Sequence, residues 1–410
     1  MANILYFVGA GLTKALAKPK RPVPAMLDFI NTCAEYVDDP VIRTTLTELE
    51  FGEPYPYRWH SAAAVQSAEK LLAQGRGKCP IDDAVRQQFA CALRERPSES
   101  IEDLLGVNGS NLSGRGAGER FRFAIRRVFS IIGWDVNWNP LISFLRRQFA
   151  CGSSDHTFVS FNYDLVLERG IQLVAGGIDV SRIYGFPIKW RATEYPPSAT
   201  GLRNEALVSP VDSPGGDSRL IVLKPHGSLN WLVPMDGNLY ASASDDWRQG
   251  RSVIVSLAEN GELQYPPYQY FGKGDIFGCV QVCLPRELSP TIGATVEAEP
   301  MILPPRCSKS PDRQFLREVR RRQEAAIQGA EEVYVLGWSI PKTDIDQECV
   351  IRSMVRKRAK PFRRVTAVNF QADFDYYVRV QDVFGVGRSA LRTYNGGFNE
   401  AFVRSLSKDS

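Results

Sequence analysis

The sequence predicts an α/β fold built on a doubly wound, mainly parallel sheet, and three observations carry that prediction. Short apolar runs rich in β-branched and aromatic residues recur along the chain, as strands buried on both faces require. Segments of helical periodicity separate them. Most of the runs stop at small or polar residues, and in a parallel sheet those stops share one edge, where such sheets bind ligands.

In chain order, Ile4 to Val8 reads as a buried strand that breaks at Gly9-Ala10-Gly11, and Leu12 to Ala17 as the start of a helix cut short by Pro19, Pro22 and Pro24. The character then changes. Helical periodicity over Ala25 to Tyr36, Ala62 to Leu72, Ile81 to Leu93 and Phe121 to Ile132, with no confident strand between, predicts a helical insertion over 25–139. The α/β alternation resumes with a helix at Leu141 to Phe149, a strand at Thr157 to Ser160 and a helix at Leu165 to Val174. The strand Leu220 to Leu223 then runs into Lys224-Pro225-His226-Gly227-Ser228.

Residues 232–300 are rich in turns and aromatics, with one strand expected at Val253 to Val255, and are read as a second insertion of loops and strands. After Met301 to Leu303 come a charged helix from about Arg313 to Ala330, the strand Val333 to Leu336 and a helix over Asp344 to Lys360. The strand Val365 to Val368, a short strand near Ala390 to Thr393 and a helix over Phe398 to Leu406 complete the chain. The expected organisation is a core over 1–24 and 140–410 that carries the two insertions.

Composition sets broad limits. A chain of 410 residues, 44% hydrophobic and 23% charged, can bury a large core, and its formal charge of +4 says little about partners. The eight cysteines are scattered without a C-x-x-C pair, so they read as reduced, buried, small hydrophobes. With no run long enough for a membrane span or a signal-peptide core, a cytoplasmic protein is expected.

The chemistry concentrates at the strand ends. Gly9-x-Gly11 lets the backbone approach a pyrophosphate and opens a helix N-terminus toward an anion, or else it is a plain tight turn. Asn162 and Asp164 follow one strand, Gly337-Trp338-Ser339 another and Asn369 a third, while His226 follows a fourth. His226 is one of three histidines with His60 and His156, and reads either as a packed residue or as a base active near neutral pH. The alternative reading of Asn162, Asp164 and Ser339 is as caps of the helices that follow them. Convergence of all these ends around one ligand is the central expectation.

Taken together, the motifs resemble the sirtuin-like superfamily, in the branch of prokaryotic NAD-degrading defence proteins. Gly9-Ala10-Gly11-Leu12-Thr13 is similar to the family's GAG-x-S/T loop, Ser160 to Asp164 to its asparagine–aspartate motif and Lys224 to Ser228 to its histidine–glycine motif. Gly337-Trp338-Ser339 resembles its ribose and phosphate contact, and Val368-Asn369 its adenosine-side loop. Met301 to Lys309 and Ser100 to Leu105 also resemble phrases of that branch. Two departures stand out. The paired cysteines of the deacylases' structural zinc site are missing, so no zinc or other metal is expected, and Phe161 replaces the family's glutamine.

The resemblance implies a Rossmann-like core and NAD as substrate, cleaved between nicotinamide and ribose to give nicotinamide and ADP-ribose. Cyclisation of the ADP-ribose is the other outcome it allows. Asn162 would hold the ribose hydroxyls or the attacking water, His226 would act as base toward a ribose hydroxyl or water, and Asp164 would orient the nicotinamide amide. Gly9, Ala10, Gly11, Thr13, Gly337, Ser339 and Asn369 would line the cofactor. The alternatives are an NAD- or ADP-ribose-sensing assembly subunit without turnover, and a zinc-independent deacylase or ADP-ribosyltransferase. The resemblance further implies a homo-oligomer acting in abortive antiphage defence, with a HerA-like hexameric ATPase as partner and a short Argonaute as the alternative. The arginine-rich runs at Arg317 to Arg322 and Arg352 to Arg364 read as solvated helix faces, so direct nucleic-acid binding is not favoured.

Overall fold

The computed structural model describes residues 3–18, 23, 136–150, 154–176, 178, 180–194, 205–211, 219–234, 245–257, 262–263, 280–288, 295–303, 313–341 and 344–406. The four helices expected between Ala25 and Ile132, and the Ser100 to Leu105 phrase, lie outside them. Among the described residues no helix is long and apolar enough to cross a membrane.

The strands of the main sheet are β1 (Asn3–Val8), β2 (Asp155–Ser160), β5 (Leu220–Leu223), β10 (Glu332–Leu336), β11 (Arg364–Val368) and β12 (Leu391–Tyr394). They lie in the order β12-β11-β10-β1-β2-β5, and every neighbouring pair is parallel. The sheet is therefore the doubly wound, Rossmann-like arrangement: the chain builds outward from β1 on one side, then returns to build outward from β10 on the other. The switch in direction falls between β1 and β10.

Both faces of the sheet are covered, which is why its strands read as continuous apolar runs. Successive residues of β1 point to opposite faces. Tyr6 stacks on Phe158 and Tyr334 of the flanking strands, with ring centroids 4.2 and 5.3 Å away, and meets Phe144 of α2 (Trp138–Ala150) edge-on. Phe7 points the other way, to Phe384 of α7 (Phe374–Phe384). The Tyr6 face is completed by α8 (Glu400–Ser405), whose Phe402 packs on Phe144. The other described α-helices packed around this sheet are α1 (Ala10–Leu16), α3 (Val166–Val174), α5 (Gln314–Gly329) and α6 (Ile345–Arg356).

Local sequence fixes these helices in readable ways. In α5, Phe315, Leu316, Val319, Gln323 and Ile327 form the buried stripe. Its arginines pair instead with acids on the exposed face, Arg321 and Arg322 with Glu318 and Arg320 with Glu324. In the second basic run Arg356, Lys357 and Lys360 are exposed, while the other arginines find partners within the protein. Arg352 pairs with Glu348 and Asp382, and Arg363 and Arg364 both pair with Glu332. The Arg358 guanidinium lies over the Phe362 ring and donates to Ile327, Gln328 and Ala330 carbonyls at the end of α5.

A second body of structure closes on itself. Strands β3 (Trp190–Glu194), β4 (Glu205–Pro210), β6 (Gly227–Pro234), β7 (Ile254–Ser256), β8 (Val280–Cys283) and β9 (Thr295–Ile302) form a barrel in the order β3-β4-β8-β9-β6-β7. Its core combines Val208, Leu232, Ile254, Val282 and Val296 with the small Ala192, Ala206 and Ala298, and Trp247 of the short helix α4 (Asp245–Arg248) belongs to the same cluster. The strand expected at Val253 to Val255 corresponds to β7, while β3, β4 and most of β6 and β9 begin or lie where no strand was expected. Strand β6 joins the two bodies: Leu232 faces the barrel core, and Trp231 and Val233 face the main core beside Phe186 and Phe315.

Candidate functional site

The register of the sheet puts the expected residues on one edge. Ser160, Val8, Leu336 and Val368 are aligned across β2, β1, β10 and β11, so Phe161, Gly9, Gly337 and Asn369 leave the sheet at one level. Lys224 leaves β5 beside them, because Leu223 is paired with Val159.

At the switch point the loops after β1 and β10 touch. A Cβ on Gly9 would lie 2.5 Å from Trp338 Cα, and one on Gly337 would lie 2.3 Å from Leu12 N, where Gly337 also has φ of +62°. Both positions therefore demand glycine for the approach of one backbone to another. Gly11 N–H donates to Gly337 O at 2.9 Å, and Leu12 N–H to Gly9 O at 3.0 Å. Two of the amides expected to face a pyrophosphate are thus used within the protein.

Asn162 is buried above this turn. Its Nδ2 donates to Gly9 O at 3.1 Å and to Thr13 Oγ1 at 3.0 Å, which directs Oδ1 as the remaining acceptor of the side chain. Thr13 in turn donates to Asp164 Oδ2 at 2.8 Å, and Asp164 Oδ1 accepts from Val166 N–H at 3.0 Å. Asp164 thus holds the first amide of α3 from the residue before its N-cap, Leu165, and through Thr13 it also braces Asn162. Burial pushes its carboxyl above the ordinary value, against the opposing pull of the Lys224 ammonium and of the hydrogen bonds from Val166 and Thr13.

Lys224 is fully buried and donates to Asp164 O at 2.6 Å and to Glu168 Oε1 at 2.9 Å. Glu168 Oε1 also accepts from Tyr184 Oη at 3.3 Å, and burial followed by the Glu168 charge raises the Tyr184 hydroxyl well above its usual range. This lysine fastens the Asn162 loop to α3 from below. It stands in the histidine–glycine motif, yet motif reading gave it no part.

His226 follows two residues later, 1% exposed, with its ring 5.3 Å from that of Phe161 and its carbonyl accepting from Leu303 N–H. Its Nε2 lies 3.7 Å from Asp344 Oδ1. Asp344, on the loop from β10 to α6, was read only as a helix start. Its one sequence signal is a carboxylate shortly after the Gly337-Trp338-Ser339 strand end. Of the remaining expected residues, Ser339 is exposed and Asn369 half-buried at the same edge, the latter accepting from Phe370 N–H through its own Oδ1. Ser339 does not cap α6, whose N-cap is Asp344.

The structure brings together Gly9, Gly11, Thr13, Asn162, Asp164 and Gly337 in one contact network, with Ala10 at the start of α1 between the two glycines and His226 joined to the network through Phe161 and Trp338. Compared with known proteins, the chain matches no family model and no curated protein.

Proposed function

We propose that the chain is an NAD glycohydrolase, cleaving the nicotinamide–ribose bond to give nicotinamide and ADP-ribose. The observation that carries this reading is the meeting of Gly9 to Thr13, Asn162, Gly337 and His226 at the switch point of a doubly wound sheet, the place where that fold binds dinucleotides. Gly9 to Thr13 and Gly337 to Ser339 would border the phosphates and ribose, with Asn369 toward the adenosine.

In the reaction, the bond from the ribose anomeric carbon to the pyridine nitrogen breaks with its electron pair going to nitrogen, which becomes neutral. Water adds to the resulting oxocarbenium-like centre and gives its proton to the His226 imidazole. Asn162 contributes an oriented Oδ1 that accepts from a ribose hydroxyl or from the water, its amide hydrogens being held by Gly9 and Thr13. Asp164, engaged at both oxygens, acts through Thr13 by holding that orientation. The wider setting of this reading is NAD depletion in abortive antiphage defence by an oligomer working with a HerA-like ATPase.

The test is to incubate the purified chain, alone and with such a partner, with NAD and to follow nicotinamide release and the identity of the ribose product. Asn162→Ala and His226→Ala each lower release about a hundredfold or more while thermal unfolding stays intact. Undiminished release in either variant overturns the assigned roles, and NAD binding without release under any partner condition replaces the enzyme by a sensing subunit.

A further inference from the structure

We infer that Asp344 is the positioning residue of the site: its carboxylate fixes the His226 imidazole and balances the positive charge the ring carries once it has taken a proton. The inference rests on the reading of His226 as the base, and adds a residue from a different part of the chain.

Asp344 is 2% exposed, and an ionised acid so buried is unfavourable unless both oxygens find partners. Oδ2 accepts from Trp338 Nε1–H at 3.3 Å, and Oδ1 faces His226 Nε2 at 3.7 Å. The separation exceeds a hydrogen bond and suits an ion pair that tightens on protonation of the ring. Asp344 is also the N-cap residue of α6, where an aspartate ordinarily bonds a free amide of the first turn, yet its side chain makes no capping bond. The carboxylate is diverted from its helix to the imidazole and the indole. Its backbone is held meanwhile by Asp344 N–H to Pro341 O and by Glu348 N–H to Asp344 O, each at 2.9 Å.

With Phe161 these three residues close a ring of contacts. Trp338 packs on Phe161 at 4.6 Å, and Phe161 packs on His226 at 5.3 Å, so the indole that holds one carboxylate oxygen also backs the aromatic that holds the imidazole. Two charged side chains on neighbouring described elements have partners of their own. Lys224 donates to Glu168 and to the Asp164 carbonyl, and the Asp164 carboxylate accepts from Thr13 and Val166. From β9 and its end come Met301 and Leu303, which carry no charge. The Asp344 carboxylate lies within ion-pair distance of His226.

The chain has three histidines, so ring-labelled histidine in the full protein gives three titration curves, assigned by single His→Gln substitutions. In Asp344→Asn the His226 curve moves to a pH lower by about 1, since the neutral amide no longer favours the imidazolium, while that of His156 stays in place. An unmoved His226 curve overturns the inference, as does a His226 ring in the unaltered chain that stays neutral to the acid limit of folding. Should Asp344→Asn not fold, Asp344→Glu takes its place: the longer acid changes its distance to the ring, and a His226 curve identical to that of the unaltered chain overturns the inference. Where nicotinamide release is measurable, Asp344→Asn also shifts the acidic limb of kcat/KM to lower pH and lowers kcat about tenfold or more. A chain that never turns over NAD refutes the proposed reaction, yet its titration curves still judge Asp344, so the two failures are separable.

Discussion

The two ends of one parallel sheet carry polar clusters of similar make-up and opposite character. At the amino end, Glu332 is shared by Arg363 and Arg364, and Asn3 donates to Gly329 O while its own carbonyl accepts from Glu331 N–H. His156 lies there with Nδ1 2.9 Å from Tyr6 Oη, whose proton goes to Gln148 Oε1 at 3.0 Å. Most donors and acceptors there consume one another, although Arg364 Nε is buried without a hydrogen-bond partner. At the carboxyl end, Asn162 keeps an oriented acceptor, His226 faces a carboxylate across 3.7 Å, and Ser339 is exposed. What separates a structural polar cluster from a candidate site is therefore how completely its hydrogen-bonding capacity is used inside the protein.

Exchanging the two buried histidines for glutamine breaks or sharpens that contrast most directly. His226→Gln lowers nicotinamide release about a hundredfold or more, whereas His156→Gln leaves it within about twofold and registers instead as lost stability. Release that falls equally in both would mean that the two ends are not functionally distinct.

The next effect in size lies beneath the carboxyl end. Lys224 and Glu168 are both fully buried, and Lys224→Met leaves the Glu168 charge without its cation. Urea unfolding is expected to show a loss of about 3 to 5 kcal/mol, and adding Glu168→Leu recovers much of it, since a buried pair replaced by apolar groups is often neutral. A double variant as unstable as the single one would show that the lysine matters through its bonds to the Tyr163 and Asp164 carbonyls.

How much of this was legible depends on how each element is buried. The main-sheet strands β1, β2, β5, β10 and β11 were readable because burial on both faces makes them unbroken apolar runs bounded by glycine or polar residues. Strand β6 was hidden because all eight of its residues, Ser228 and Asn230 included, are buried between two cores, so no alternation survives in the sequence. Strand β9 carries Pro300, which argues against a strand by the ordinary rule. Helix α7 was missed although Asp373, which accepts from Tyr376 N–H, and Gly385, left-handed at φ of 61°, bracket it as start and stop; its aromatic and β-branched content masked the pattern. At the site, short motifs at strand ends located Asn162 and His226. Asp344 and Lys224 escaped because their parts come from tertiary contacts, and an aspartate opening a helix looks the same whether it caps that helix or faces a histidine.

The smallest expected effect belongs to the closed amino end. Burial lowers the His156 pKa from its ordinary value of 6.5, with the Asp155 charge opposing, so the folded chain holds this ring neutral at a pH where the unfolded chain already binds a proton. For a group whose folded value is depressed by burial, the unfolded state binds more protons throughout the interval below about 6.5. Stability carried by neutral His156 is therefore fully present above that value and is lost as pH falls through the interval. Urea midpoints measured from pH 7 down to pH 5 should decline more steeply in the unaltered chain than in His156→Gln, which has no proton to take up. Parallel slopes would mean that the Tyr6–Gln148 pocket admits the imidazolium, and that the amino end is less closed than its hydrogen bonds indicate.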